Sequence, residues 1–399
     1  MELLPILSSL RRHKLAAGLL MLEIAVACAI LCNAVFMIRQ RLSEMQVHTG
    51  LAESELVWLK TDGVSGADAT PVTESNLAAL RGIPGVKSAV VVASLPLSND
   101  DMNFNPSMDA DGKHRGPNME LMVGSPGYLH ALGIKLVEGH DFSADDYAGV
   151  DTWLPHSPSM IVTRAVAERL WPGQSALGQA FWIGTKRYQV IGVVDHMVRG
   201  ELRGNASEYT ALFAARPSAE LSSLYVLRAD PSALDRVLRD AAAKLAALNP
   251  QMLINDKGTY PGLRGNYFAS DRAMAWLLAT VCTALLIVTA LGIGGLASFW
   301  VAQRRRQIGI RRAIGATRGD ILRYFQTENF LIVSGGIGLG MVLAYTINLA
   351  LMSHYELPRL PLAYFPVGAL ALWLLGQLAV LGPALRASHV PPVVATRSV

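Results

Sequence analysis

The stretch "RRRQIGIRRAIGATRGD", residues 304–320, packs six arginines and a single aspartate into seventeen positions. Uncharged apolar runs flank it, Ala273 to Ala302 on one side and Phe330 to Met352 on the other. About 20 residues of helix cross a ~30 Å hydrocarbon core, and both flanks are long enough. Two further runs meet the same test: Leu15 to Ile38, where Glu23 is the one charge, and Leu360 to Leu385, which has none. With 51% hydrophobic and 17% charged residues over 399 positions, a wholly soluble protein is excluded. The expected fold class is a membrane α-helical protein with four transmembrane helices. A large α+β extracytoplasmic domain is inserted between the first and second.

Charge sets the expected orientation. Arg11, Arg12, Lys14, the arginines of the opening stretch, Arg323, Arg386 and Arg397 fall on one side if the four spans alternate. The segment from about Gln40 to Ser270 carries 20 Lys+Arg and 25 Asp+Glu, a net of −5, against +4 for the whole chain. The positive-inside rule then puts both termini and the arginine-rich loop in the cytoplasm. The basic balance is topological and points to no nucleic acid. The first apolar run is too long for the roughly 7–15-residue core of a signal peptide, so a retained anchor is expected. The expected order is a cytoplasmic N-terminus (1–14), first span (15–38), external domain (39–270), second span (271–302), cytoplasmic loop (303–325), third span (326–352), short external loop (353–361), fourth span (362–385) and cytoplasmic tail (386–399). Cys28, Cys32 and Cys282 all lie in spans, so the external domain must fold on a hydrophobic core without disulfides.

Inside that domain the periodicity changes. "TESNLAALRGIPGVKSAVVVASLPL" (73–97) predicts a helix starting at Thr73, broken at Gly82 to Gly85, and then a β-branched strand over Val86–Val92. "MELMVGSPGYLHALGIKLVEGHDF" (119–142) predicts strand, turn at Ser125-Pro126-Gly127, short helix and strand. "SMIVTRAVAERLWPG" (159–173) predicts strand into helix, and residues 179–198 a hairpin turning at Gly184-Thr185. Residues 231–248 predict an amphipathic helix, with strands near 222–229 and 251–255, and Asn99 to Gly116 a polar loop. Mixed strands and helices of this kind predict an α+β domain in two lobes.

Chemistry-bearing motifs are sparse. The phosphate-cradling G-x-x-x-x-G-K-[ST] does not occur, nor H-E-x-x-H, C-x-x-C or G-x-S-x-G. His114, His130, His140, His156 and His196 are scattered, so no metal site, cofactor or catalytic residue is expected. "GGIGLG" (335–340) sits in an apolar run with no strand before it; Gly336 and Gly340 are spaced for close helix packing. "LGIGGLAS" (291–298) reads the same way. Glu23 is costly inside a membrane and is expected either to reach the nearby cytoplasmic boundary or to make a polar contact within the bundle. Within the arginine-rich loop, Ile310, Ile314, Ile321 and Phe325 recur at spacings of 4, 7 and 4, the stripe of an amphipathic helix. Gly315, Ala316 and Gly319 keep part of its surface small. On physics alone, such a helix binds lipid or docks a partner; both stay open.

"RRRQIGIRRAIGATRGDILRYFQTENFLIVSGGIGLGMVLAY" resembles the cytoplasmic loop and third span of MacB/FtsX-type ABC transporter permeases, whose pattern is R-x-x-E-I-G-I-R-R-A-[LI]-G-A-[ST]-x-x-x-I. "SPGYLHALGIKLVEGHDFSADD" (125–146) and "IVTRAVAERLWPGQSALGQAFWIGTKRYQVIGVVDHM" (161–197) resemble the family's periplasmic core domain, and "GPALRASHVPPVVATRSV" (382–399) its tail. The resemblance implies a bacterial inner-membrane permease with four spans. It also implies a second permease copy and two copies of an ABC ATPase, which carry the ATP-Mg; with no Walker motif in this chain, that ATPase is expected as a separate subunit. A periplasmic adaptor is a further implied partner. Carried over by position, the ATPase-coupling helix comprises Gln307, Ile308, Gly309, Ile310, Arg311, Arg312, Ala313, Ile314, Gly315 and Ala316. Gln307 stands where the family has an acid. The implied function is efflux or export by mechanotransmission from the ATPase to the periplasmic domain. Lipoprotein release, or regulation of a periplasmic hydrolase or sensor, are the alternatives.

Overall fold

The computed structural model describes residues 14–66, 69–100, 102–151, 154–202, 207–355 and 361–389. Arg11, Arg12, Arg397 and much of the short external loop lie outside the described residues. The chain divides into two compact units, residues 1–46 with 270–399, and residues 47–269. Among the described residues the α-helices are α1 (Lys14–Glu44), α2 (Ala69–Arg81), α3 (Tyr128–Leu132), α4 (Arg164–Leu170), α5 (Leu234–Leu248), α6 (Tyr260–Tyr267), α7 (Ala269–Gln303), α8 (Arg305–Ala313), α9 (Arg318–Tyr355) and α10 (Tyr364–Ser388).

In the first unit, α1, α7, α9 and α10 are each long and apolar enough to cross a membrane. The 35 residues of α7 extend about 52 Å at 1.5 Å per residue, well beyond a ~30 Å core. α1 packs most extensively on α9. Its Leu20, Ile24, Cys28 and Cys32 meet Ile332, Val333, Ile337 and Ala344 of α9, together with Ala369, Leu372 and Val380 of α10. Lipid tails are as apolar as these side chains, so close van der Waals packing must hold such helices together. The glycines permit it. A β-carbon on Gly336 would lie 2.8 Å from two side-chain atoms of Ile24, and one on Gly340 would lie 2.5 Å from Cys28 Cβ and 2.7 Å from the Ala25 carbonyl oxygen. Polar stitches add direction: Asn329 donates to the Gly376 carbonyl at 2.9 Å, and the Trp373 indole to the Ser334 hydroxyl at 3.0 Å.

The second unit is built on strands β1 (Leu56–Thr61), β2 (Val86–Val92), β3 (Asn103–Phe104), β4 (Met119–Gly124), β5 (Leu136–Gly139), β6 (Val150–Asp151), β7 (Leu154–Pro155), β8 (Ser159–Thr163), β9 (Ala180–Ile183), β10 (Lys186–Val194), β11 (Thr210–Ala214), β12 (Leu224–Ala229) and β13 (Ile254–Thr259). The main sheet runs β13-β1-β12-β2-β4-β11-β8-β10-β5; β3 pairs with β4, β9 pairs with β10, and β6–β7 form a small separate sheet. Most neighbours are antiparallel, while β4–β11 and β8–β10 are parallel. The sheet has two halves. β2 and β4 meet through one register pair, Val92↔Gly124, yet the sheet is continuous across it and residues 47–269 form one compact unit.

Both faces of the sheet are covered, so its central strands are nearly continuous apolar runs. On one face Leu59, Val91, Phe213 and Tyr225 pack under Leu80 of α2 and Val237 of α5. On the other, Trp58, Val90, Leu212 and Val226 pack with Tyr128 of α3 and Tyr260 of α6. In α5 the buried Leu234, Val237, Ala241 and Leu245 recur every three or four residues, the expected amphipathic stripe. The β9–β10 hairpin turns at Gly184-Thr185 between Ile183 and Lys186.

Three local expectations are corrected. Helix α2 starts at Ala69, and Thr73 lies buried inside it rather than capping it, because Pro71, lacking an N–H, suits the unbonded first turn. The strand expected near 251–255 is shifted to β13, where it pairs with β1 through Val57↔Thr259. The polar stretch Asn99 to Gly116 is not all loop: β3 joins the sheet within it, and Ser107 bridges to Trp182.

Candidate coupling site at the arginine-rich turn

The residues 304–320 form a helix, a sharp stop and a second helix start. Arg304 is the N-cap of α8, and the Ile308 amide donates to its carbonyl at 2.9 Å. The other end closes at Gly315. The Gly315 amide donates to the Arg312 carbonyl at 3.2 Å and the Ala316 amide to the Arg311 carbonyl at 3.0 Å, the Schellman pattern that ends a helix on a left-handed residue. Gly315 has φ of +106°, where a β-carbon is strained. The next helix begins two residues later with a capping box: the Thr317 hydroxyl and amide donate to the Asp320 carboxylate at 2.6 and 3.0 Å, and the Asp320 amide donates back to Thr317 Oγ1 at 3.2 Å. The third long helix therefore starts at Arg318, ahead of the residue 326 expected from hydropathy.

This break corrects the stripe. Ile310 lies in α8 and Ile314 is its C-cap, whereas Ile321 and Phe325 lie in α9, and the two pairs do not share a face. Ile308 is the residue turned inward, 4% exposed; it packs with Val301, Ile321, Phe325, Ala384 and Ala387, and Ala316 rests against the same cluster. Gly309 beside it is buried. Ile310 and Ile314 point away, 44% and 81% exposed. Gln307, Arg311 and Ala313 are exposed with them, and Arg312 is half-buried. The Arg311 guanidinium lies 4.8 Å above the Tyr324 ring, an arrangement that holds a cation over a π face. Gln307 borders a cavity of about 20 Å³ with Arg304, Arg311 and Tyr324. The result is a short, firmly capped helix offering two isoleucines in a cationic frame. Chemically it can dock an apolar, acidic surface. It holds no nucleophile–base pair, and no cluster of three or more His, Cys, Asp or Glu suited to a metal occurs among the described residues.

Gly336 and Gly340 lie elsewhere, on α9 against Ile24 and Cys28 of α1, whereas Glu23 of α1 faces α7. The Glu23 carboxylate sits over Gly292 of α7, where an added β-carbon would lie 2.8 Å from Oε2. Its Oε1 is buried and has no hydrogen-bond partner among the described residues. Gly292 falls in "LGIGGLAS", whose small residues thus make room for a carboxylate as well as for a helix. One charged pair escaped the sequence reading. Glu328, 1% exposed, takes Nη1 of Arg304 on both carboxylate oxygens at 2.8 and 3.1 Å. The expected third span, 326–352, already contains Glu328, although the uncharged run begins only at Phe330; the polar run Gln326-Thr327-Glu328-Asn329 is the signal that could have found the pair.

Comparison with known proteins places this arrangement. Residues 19–244 match the MacB-like periplasmic core domain, and residues 279–392 match the FtsX-like permease C-terminal domain. The uncharacterized ABC transporter permease YknZ of Bacillus subtilis is 25% identical over 354 residues, covering 84% of this chain and 83% of the relative. The macrolide export ATP-binding/permease protein MacB of Chromobacterium violaceum is 28% identical over 67% of this chain, and MacB 1/2 of Paracoccus denitrificans 26% identical over 97%. This chain spans only 41% and 57% of those two relatives' lengths. Among solved structures, the extracellular domain of YknZ aligns over 50% of this chain and all of its own at TM-score 0.34 and 16% identity. The periplasmic region of MacB from Actinobacillus actinomycetemcomitans aligns over 54% of this chain and 94% of its own at TM-score 0.36 and 12% identity. With the core-domain match extending over more than half of its residues, the chain belongs to the MacB/FtsX-type family of ABC transporter permeases.

Proposed function

We propose that this chain is the membrane subunit of an ATP-driven export system in a bacterial inner membrane. Both termini and α8 face the cytoplasm, and residues 47–269 face the periplasm. ATP-Mg is bound and hydrolysed by a separate ABC ATPase dimer, which docks on α8 of two permease copies. Closure of that dimer pushes α8, and the long helices α1 and α7 pass the movement to the external domain, where an adaptor protein can meet the cargo. The names of the MacB relatives support export over lipoprotein release, and the size of the inserted domain supports it over a purely regulatory role.

The observation that carries the reading is the outward pair Ile310 and Ile314 on a helix closed at its far end by the Gly315 cap. Apolar side chains on a charged, rigid projection are suited to a protein groove. Ile314 is 81% exposed, so Ile314→Asp leaves the fold intact while placing a charge in the contact. Co-purification of the tagged permease with its ATPase, and permease-stimulated ATP hydrolysis, are expected to be lost together. An unaltered complex and unaltered stimulation in the Asp variant, or the absence of any ATPase bound to the wild type, would refute the proposal.

A further inference from the structure

We infer that the Arg304–Glu328 ion pair is a positioning contact that makes the coupling helix and the third long helix a single lever. Three observations converge on it. Arg304 occupies the joint itself: α7 ends at Gln303, α8 begins at Arg305, and Arg304 caps the new helix. The joint is held by one guanidinium nitrogen bridging both oxygens of Glu328 at 2.8 and 3.1 Å, with the guanidinium 5.8 Å over the Trp300 ring of α7. The pair is buried, at 12% and 2% side-chain exposure.

The third observation is where Glu328 stands. It borders a cavity of about 10 Å³ together with Leu20 of α1, Ile293 and Trp300 of α7, Asn329 of α9 and Val380 of α10. All four long helices thus meet at this carboxylate. The adjacent Asn329 ties α9 to the Gly376 carbonyl of α10. The ion pair therefore links the start of α8 directly to the point where the bundle is stitched together.

The physics favours a geometric role over a stabilising one. A buried ion pair contributes little net stability compared with apolar residues of the same shape, because desolvation offsets the attraction. Losing one partner is another matter, since the remaining charge is then uncompensated in a low dielectric. Such a contact tolerates little displacement, and charge-assisted bonds to both carboxylate oxygens restrict its direction as well. Without it, Ile308 and its neighbours and Arg311 over the Tyr324 ring still hold α8 to the bundle. Apolar packing and a cation over a ring face are less directional than the ion pair and leave α8 freer to shift.

The coupling role rests on the proposed function, whereas the tether does not, and the experiment separates them. The full-length protein in lipid nanodiscs is compared with Glu328→Gln, Arg304→Lys and the exchanged pair Arg304→Glu/Glu328→Arg by amide hydrogen exchange. Glu328→Gln is expected to raise exchange in residues 305–316 about tenfold or more, as local opening follows loss of a buried partner, with residues 332–348 unchanged. The exchanged pair is expected to recover part of the protection. Unchanged exchange in 305–316, or an equal rise throughout α9 and α10, overturns the tether. In complex with the ATPase, Glu328→Gln is expected to retain binding while stimulated hydrolysis falls several-fold. Unaltered stimulation overturns the lever even if exchange rises. Failure of the wild type to bind an ATPase refutes the proposed function alone, and exchange still decides the tether.

Discussion

Replacing Gly340 by alanine tests the packing of α1 on α9 at its tightest point. The new methyl would lie 2.5 Å from Cys28 Cβ, 2.7 Å from the Ala25 carbonyl oxygen and 3.0 Å from Ala25 Cα. Carbon atoms pack comfortably at about 3.5–4.0 Å, so the helices must part by about 1 Å. Two of the three obstacles are backbone atoms of α1 and cannot rotate away. Overpacking a close-fitted interior costs about 1–3 kcal/mol, and this site belongs in the upper half of that range. Gly338 is the control. It is two residues away and exposed, with no atom within 4 Å of where its β-carbon would stand. There the same change gains up to about 1 kcal/mol from helix propensity. The two variants should therefore differ by about 3 kcal/mol, roughly a hundredfold in the unfolding equilibrium. Reversible denaturant titration in detergent micelles measures that difference. Cys28→Ala keeps the offending β-carbon and should give no relief. Cys28→Gly removes it but leaves the Ala25 oxygen, so it should recover only part of the loss. Equal stability of the Gly340→Ala and Gly338→Ala variants would refute the argument that these glycines set the helix separation.

At the end of α8, Gly315→Ala forces a β-carbon onto φ of +106° and should cost about 1–2 kcal/mol, with Gly315→Asn milder; thermal melts of the two variants decide this. In the external domain, the His114 ring at 2.6 Å, followed by the Ser107 hydroxyl and the amides of His114 and Lys113, outweighs a burial penalty and holds the Asp109 carboxyl at about 2. A folded-state value below the ordinary carboxylate range of about 3.9 contributes stability that is fully present above about pH 4 and is lost as the pH falls towards 2. Carbon-detected NMR titration should find this low midpoint, and His114→Ala should move it upward; an unmoved midpoint would contradict the contact.

The parts of this structure legible in the sequence are those where one residue type decides the outcome locally. Runs such as Ala273 to Ala302 leave a helix no alternative in lipid, and the spacing of Leu234, Val237, Ala241 and Leu245 admits one buried face. The coupling region was legible in composition but not in shape. Spacings of 4, 7 and 4 were counted across Gly315, although Ile-Gly-Ala-Thr-x-x-Asp carries both a helix stop and a capping box. Ile308, rather than Ile310 or Ile314, turned out to face the bundle, because the bend at Arg304 resets the helical phase. Gln307, the departure from the family pattern, lies exposed between Arg304 and Arg311 rather than paired in the interior. The Arg304–Glu328 contact spans 24 residues and depends on how α7 meets α9, which no local pattern encodes. Strand order was hidden for the same reason: the parallel pairings β4–β11 and β8–β10 join segments whose local sequences resemble those of the antiparallel ones.

The pairing of β1 with β13 has a mechanical meaning. Val57 stands opposite Thr259, so the chain enters and leaves the external domain side by side at one end of a two-strand ladder. A load that draws the two ends apart opens that ladder like a zipper, one hydrogen bond after another, whereas a load along the strands would strain all of them together. Within residues 47–269 an opening load meets the guanidinium of Arg264, which bonds both carboxylate oxygens of Glu53 at 2.8 and 3.0 Å and the Val47 carbonyl at 2.7 Å. Arg264 thus works as the slider at the foot of the zipper: the β1–β13 ladder cannot part from this end until its bonds to Glu53 and Val47 give way.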